Sequence, residues 1–166
     1  NDVYLASALD GKPMKKLISG ERTPSFETLR FFNTSIAWSP NEKQIAIPAK
    51  VGGEDALYVV DVPSGKVKKR YKFGLDAIYS PQWSPDGALY FASDRTGWWN
   101  LYRASPDDGR WTMDDSSKSS IVHRPSSIVQ VCAMPAEFGL PQWVFKMSVY
   151  AFESANRIIC LYNQDG

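Results

Sequence analysis

Few residues in this chain are of a type and spacing that could carry chemistry. The single histidine, His123, lies in a polar stretch without a companion nucleophile in a strand-to-helix turn, so the sequence gives it no catalytic role. Cys132 and Cys160 lack metal-ligand spacing and are too few for a disulfide scaffold; they read as reduced thiols buried on strands. Lys66, Lys68, Lys69, Arg70 and Lys72 form a basic run that could meet a phosphate backbone. Strand alternation instead puts these charges mostly on an outer sheet edge, where they discourage edge-to-edge pairing. Asp94-Arg95-Thr96-Gly97 reads as a turn in which the carboxylate holds backbone amides and the arginine. No cofactor or metal is expected from this set.

The 166 residues suffice for one real core, so one domain is expected. Hydrophobic residues make up 43% and aromatics 13%, a globular composition, and 19 basic against 18 acidic residues leave a net charge of +1. That balance gives no warrant for nucleic acid or an anionic membrane surface as partner. No apolar run approaches the ~18 residues of a transmembrane helix, and no signal peptide opens the chain. Together with the two thiols this favours a cytoplasmic location. The first residue is Asn rather than Met, as in a mature product or a cut piece.

The elements that must position these residues are organised around Pro81-Gln82-Trp83-Ser84-Pro85-Asp86-Gly87-Ala88-Leu89-Tyr90-Phe91. The same pattern occurs upstream as Ile36-Ala37-Trp38-Ser39-Pro40-Asn41 leading to Ile45-Ala46-Ile47, and downstream as Pro141-Gln142-Trp143-Val144-Phe145 leading to Ser148-Val149-Tyr150-Ala151-Phe152. A Trp-bearing strand runs into Ser-Pro-Asn or Ser-Pro-Asp-Gly, where Pro fixes φ and Asn or Asp bonds its own backbone, and the strand then restarts. Each copy is therefore a hairpin, and its Trp is expected between neighbouring twisted sheets. The first spacing matches the ~40–45 residues of a four-stranded propeller blade, and the second fits the same unit with a loop insertion.

Taken in order, Asp2–Ser7 and Met14–Ile18 read as a hairpin around Asp10-Gly11-Lys12, and Ala56–Asp61 with Lys66–Tyr71 repeats it around Ser64-Gly65-Lys66. In that correspondence Val3-Tyr4 matches Leu57-Tyr58. Residues 19–33 form a connector that Phe26, Phe31 and Phe32 could pin to the core. Asn100–Arg103 is the third strand of its blade, and the adjacent Trp98 and Trp99 point to opposite faces. Residues 105–128 form a polar, Ser-rich insertion, Ile128–Cys132 closes the blade, and Arg157–Tyr162 is the second strand of the last unit.

The fold class expected is all-β: a β-propeller segment of about three blades' worth of four-stranded antiparallel sheets, starting and ending in mid-blade. The divisions are a half blade and connector over 1–33, a blade over 34–75, a blade over 76–134 with the insertion 105–128, and a half blade over 135–166. A closed propeller needs about four to eight blades, so both open ends must be covered by further blades or by a second copy.

Ser93-Asp94-Arg95-Thr96-Gly97-Trp98-Trp99-Asn100-Leu101-Tyr102, with Ala136-Glu137-Phe138-Gly139-Leu140-Pro141-Gln142-Trp143-Val144-Phe145 and Met147–Phe152, resembles the propeller domain of prolyl-oligopeptidase-type serine peptidases. The dipeptidyl-peptidase and acylaminoacyl-peptidase branch is the nearest in character. Residues 1–92, through the Trp38 and Trp83 units, are similar to the broader class of TolB-like propeller repeats. The resemblance implies a filter that admits short peptides to a separate α/β-hydrolase domain. In such peptidases that domain supplies a Ser, Asp and His triad whose Ser sits in a G-x-S-x-G elbow. This chain has no such elbow, so no catalytic residue is assigned. In some such peptidases acidic propeller residues hold the free amino terminus of the peptide, and Glu137 is the substrate-binding candidate, although a loop carboxylate also serves local amides or Arg124. The implied partners are the remaining blades and hydrolase domain of a parent peptidase, with short peptides as its substrate, or a second copy of the chain. Two other readings remain open: a non-enzymatic TolB-like interaction propeller, and a fragmentary or engineered half-propeller that self-assembles.

Overall fold

The computed structural model describes residues 2–18, 36–51, 54–73, 76–104, 128–140 and 148–164. The connector with its three phenylalanines, most of the insertion including His123, and the Trp143 string lie outside the described residues. The described residues form four antiparallel sheets and no helix. The first pairs β1 (Val3–Ala6) with β2 (Pro13–Ile18). The second runs in the order β3 (Ala37–Trp38), β4 (Gln44–Val51), β5 (Glu54–Asp61), β6 (Val67–Lys72). The third has β7 (Ile78–Trp83), β8 (Leu89–Ser93), β9 (Asn100–Ala104) and β10 (Ile128–Gln130) as successive neighbours. The last pairs β11 (Tyr150–Ser154) with β12 (Arg157–Cys160). This is the expected all-β partial propeller.

The core lies between the sheets in three layers. Val3, Leu17 and Ile18 of the first sheet meet Ile45, Ile47, Tyr58 and Val60 of the second. The opposite face of the second sheet, through Leu57, Val59 and Tyr71, meets Ile78, Leu89, Phe91 and Tyr102 of the third. The far face of the third, through Tyr79, Tyr90 and Leu101, meets Tyr150 and the half-buried Phe152 and Ile158 of the fourth. Successive strand residues alternate between two apolar layers, which explains why β5 and β8 read as nearly continuous hydrophobic runs. The fold is therefore stabilised by stacking sheet on sheet, and each inner sheet depends on a neighbour at both faces.

The Trp-Ser-Pro units show how local sequence sets that stacking. Ser39 Oγ accepts from Gln44 N at 2.9 Å and donates to Gln44 O at 3.0 Å, while Asn41 Oδ1 receives Lys43 N at 3.0 Å. Ser84 does the same with Ala88, at 3.0 Å each way, and also bonds Asp86 Oδ1. Each buried serine is thus the clasp that closes its hairpin, and the following Pro starts the turn. The third turn residue adopts a left-handed conformation in both units, Glu42 at φ 59° and Gly87 at φ 86°. An L side chain is disfavoured there, so Glu42→Gly is expected to raise stability by about 0.5–1 kcal/mol, read as an upward shift in thermal midpoint.

Trp83 sits between blades as expected: its Nε1 donates to Ala37 O at 3.1 Å, tying inner strand β7 to inner strand β3. Trp38 differs, being 48% exposed. Its ring faces away from the third sheet, and the described part of the first sheet contains only β1 and β2, with no inner strand for the indole to reach. Lys68, Lys69, Arg70 and Lys72 of the basic run lie on β6, whose only ladder partner among the described residues is β5, so they occupy a sheet edge there. Arg70 lies over the Tyr58 ring at 5.5 Å. Trp98 is exposed whereas Trp99 packs onto the third core layer, the expected division of the pair.

Candidate functional site

Glu137 lies where the third and fourth sheets meet. Its amide and carbonyl exchange hydrogen bonds with those of Asn163, both at 2.8 Å, which fixes the 136–140 segment beside the continuation of β12. The next residue, Phe138, donates its amide to Trp99 O at 2.8 Å. In return Glu137 Oε2 accepts from Trp99 N at 3.2 Å. The half-buried carboxylate therefore caps the start of β9, the local-amide use that competes with substrate binding. Among the described residues no basic side chain forms an ion pair with it.

Behind this carboxylate, Tyr79 is the hub. Its hydroxyl donates to Phe138 O at 3.1 Å and accepts from Leu140 N at 3.0 Å, and its ring meets Trp99 edge-on at 5.1 Å. Burial pushes the phenol up to about 12, with the Leu140 amide opposing and the Glu137 charge adding to the rise. At neutral pH Tyr79 is thus a protonated relay between two backbone groups and not a base. Tyr150 is held similarly: its hydroxyl donates to Ser80 O at 2.7 Å, and burial raises it well above the ordinary tyrosine value. Ser80 adopts φ 51° just before Pro81, within a bulge between Tyr79 and Gln82. That strained turn frees a carbonyl which Tyr150 satisfies, and it directs Gln82 Nε2 to Ser148 Oγ and Tyr150 O, each at 2.9 Å. Asn100, fully buried, bonds Met134 through both ends of its amide, at 3.2 and 3.4 Å.

Gly139 completes the packing. A Cβ there would lie 2.5 Å from Trp99 Cγ and 2.8 Å from its Cβ, so only glycine lets the segment pass the indole. Gly139→Ala is expected to cost about 1–3 kcal/mol and to disturb the Trp99–Glu137 cap, seen as a lower denaturant midpoint and altered Trp fluorescence.

Asp94 and Arg95 serve turn bracing: the Asp94 carboxylate holds a backbone amide as expected, while Arg95 pairs with another carboxylate. Asp94 Oδ1 accepts from Ala77 N at 2.7 Å, whereas Arg95 pairs with Asp76 at 3.7 Å and lies over the Tyr102 ring at 5.7 Å. Cys132 and Cys160 are half-buried free thiols against the third core layer, and burial raises Cys160 above the usual thiol range. A cavity of about 150 Å³ lies between the second and third sheets, lined by Gln44, Lys69, Tyr71 and Trp83 among others, apart from the Glu137 cluster. Sequence reasoning singled out Glu137 but not Tyr79, Tyr150, Gln82 or Asn100. The available signal was a polar residue at a core-facing strand position, as with Asn100 before Leu101-Tyr102.

No family model matches the chain. Among solved structures it is similar to puromycin hydrolase, in two crystal structures of which one is a mutant complexed with PGG, at 26% identity and TM-score 0.57 over 78% of this chain. A puromycin-hydrolysing peptidase of Mycobacterium tuberculosis gives 21% identity over 80% of the chain, again with TM-score 0.57. TolB from Acinetobacter baumannii gives 23% identity over 66% of the chain, with TM-score 0.47. The chain corresponds to only 18% of the puromycin hydrolase chain and 19% of the mycobacterial one. The chain is a partial β-propeller similar to that of puromycin hydrolase, as its resemblance to the prolyl-oligopeptidase-type propeller implies.

Proposed function

We propose that this chain is a non-catalytic propeller portion of a prolyl-oligopeptidase-type serine peptidase, limiting access to a separate α/β-hydrolase domain to short peptides. The observation that carries this reading is the likeness to puromycin hydrolase over most of this chain but a small share of that one. Stacked blades suit a filter because each inner sheet is held at both faces, and in a closed propeller the blades surround a central channel. The blade divisions proposed are 34–75 and 76–134, flanked by half blades over 1–33 and 135–166.

Within this reading Glu137 is proposed to pair with the free amino terminus of a peptide. The carboxylate is half-buried, is anchored by one oxygen on Trp99 N, and lies where two blades meet, which suits a charge-assisted bond to an ammonium. Calorimetric titration tests both parts on the 166-residue chain. A short peptide with a free amino terminus should bind without being hydrolysed, its amino-acetylated form should bind roughly tenfold more weakly, and Glu137→Gln should abolish the difference. Equal binding of both peptides would remove Glu137 from substrate recognition, and hydrolysis by the isolated chain would overturn the non-catalytic assignment.

A further inference from the structure

We propose that the cavity between the second and third sheets is a binding site for a small carboxylate with a compact aromatic body, about the size of benzoate. The inference goes beyond the peptidase reading and does not depend on it. The cavity has a volume of about 150 Å³ and lies between the two four-stranded sheets, with walls from β4, β5 and β6 on one side and from β7, β8 and β9 on the other. An apolar cavity of about 150 Å³ accommodates benzene, so one aromatic ring fits this space.

The repeat explains why there is space. Leu89 pairs with Trp83 on one side and Ala104 on the other, just as Ile45 in the preceding sheet pairs with Trp38 and Val60. Ala104 therefore stands where the second sheet has Val60. The fully buried Val60 fills its place in the first core layer, whereas the two methyl groups of a valine are missing from the second. The surroundings cannot close the gap, because Trp83 Nε1 is held by Ala37 O at 3.1 Å and the β8–β9 ladder fixes Leu89 against Ala104. In close-packed interiors a persistent space of this size is exceptional.

The lining is apolar inside and polar at the mouth. Val59, Leu89 and Ala104 are 2%, 3% and 2% exposed, and they offer a ring only apolar contact. Lys69 lies directly opposite Val59 in the β5–β6 ladder, so its side chain shares the face that looks onto the third sheet. Lys69 and Gln44 are half-buried and Gly87 is exposed, which puts the opening at their rim. A carboxylate there meets the Lys69 ammonium in a charge-assisted bond, and the Gln44 amide is a second donor. A cationic ligand would be repelled by Lys69, and an uncharged ring would gain the walls alone. The arrangement thus selects an anionic head on an apolar body.

The test is calorimetric titration of the 166-residue chain with benzoate and with benzamide, together with the thermal midpoint in each. Benzoate should bind saturably, in the millimolar range or tighter, and raise the midpoint by binding the folded chain alone. Benzamide, of the same shape without the charge, should bind roughly tenfold more weakly. Lys69→Gln should bring benzoate down to the level of benzamide and leave benzamide unchanged. Ala104→Val, which restores the residue of the preceding sheet, should abolish binding of both without lowering the midpoint of the free chain. Absence of saturable benzoate binding, equal binding of benzoate and benzamide, or undiminished benzoate binding by Ala104→Val would overturn the proposal. The first two results are read on the unsubstituted chain and need no variant to fold. All three leave the peptidase reading standing, since that reading is decided by peptide binding at Glu137, apart from this cavity.

Discussion

Phe91→Ala is expected to destabilise the protein by about 3–5 kcal/mol, the usual range for emptying a buried aromatic site. Phe91 is fully buried on β8, between Phe73, whose ring it meets edge-on at 5.0 Å, and Tyr102, stacked at 6.0 Å. All three belong to the layer joining the second sheet to the third. Surrounding strands are held by ladders on either side and cannot collapse into the space, so both the transfer and the cavity contributions are felt. Marginal stability makes this a large fraction of the whole. Urea unfolding checks it: Phe91→Ala should lower the midpoint at nearly unchanged slope, and Phe91→Leu should lose less than half as much. A loss below about 1 kcal/mol would mean that this layer is not a load-carrying core.

Alkaline unfolding has the second-largest expected effect. Tyr79 ionises at about 12 in the folded protein, against an ordinary value of 10.0. Its folded value is raised, so the stabilisation is complete below pH 10. Between pH 10 and 12 the unfolded chain loses this proton while the folded one keeps it. Stability then falls by about 1.4 kcal/mol per pH unit for one such group. Tyr150, raised in the same direction by burial, adds to the slope. Denaturant midpoints measured from pH 8 to 12 should stay level up to about pH 10 and then decline steeply. Tyr79→Phe should be less stable at pH 8, through loss of its two hydrogen bonds, yet decline less steeply above pH 10. An unchanged slope in that variant would contradict the assignment of Tyr79 as a buried, protonated relay.

The features legible in the sequence were those written in local backbone chemistry. Ser39-Pro40-Asn41 and Ser84-Pro85-Asp86 announce their turns because the side chains that close each hairpin lie within five residues of the groups they bond. Gly11 and Gly65 mark the turns of two matching hairpins for the same reason, since both require positive φ. The strands β5 and β8 were legible as strands, whereas the burial of both their faces follows from the stacking of the sheets.

The unread part depends on contacts distant in sequence. Tyr79 reaches Phe138, 59 positions away, and Tyr150 reaches Ser80, 70 positions away. No local pattern in Ile78-Tyr79-Ser80-Pro81 reveals a bulge with Ser80 at φ 51°, because pairing across sheets, and not the residue before Pro, determines it. Glu137 was visible as a carboxylate, but its bond to Trp99 N follows from the approach of the 136–140 segment to β9. Trp38 shows the complementary limit: its motif matches that of Trp83, while its exposure depends on which sheet lies next to it.

The filter assignment is tested most directly by placing residues 1–166 in puromycin hydrolase in exchange for the segment they match and measuring the ratio of hydrolysis rates for a short peptide and an unfolded polypeptide. If the chain is a propeller gate, the exchanged enzyme will fold as one unit and keep a ratio strongly favouring the short peptide. An active exchanged enzyme that cuts both substrates at comparable rates would show that this chain does not gate access.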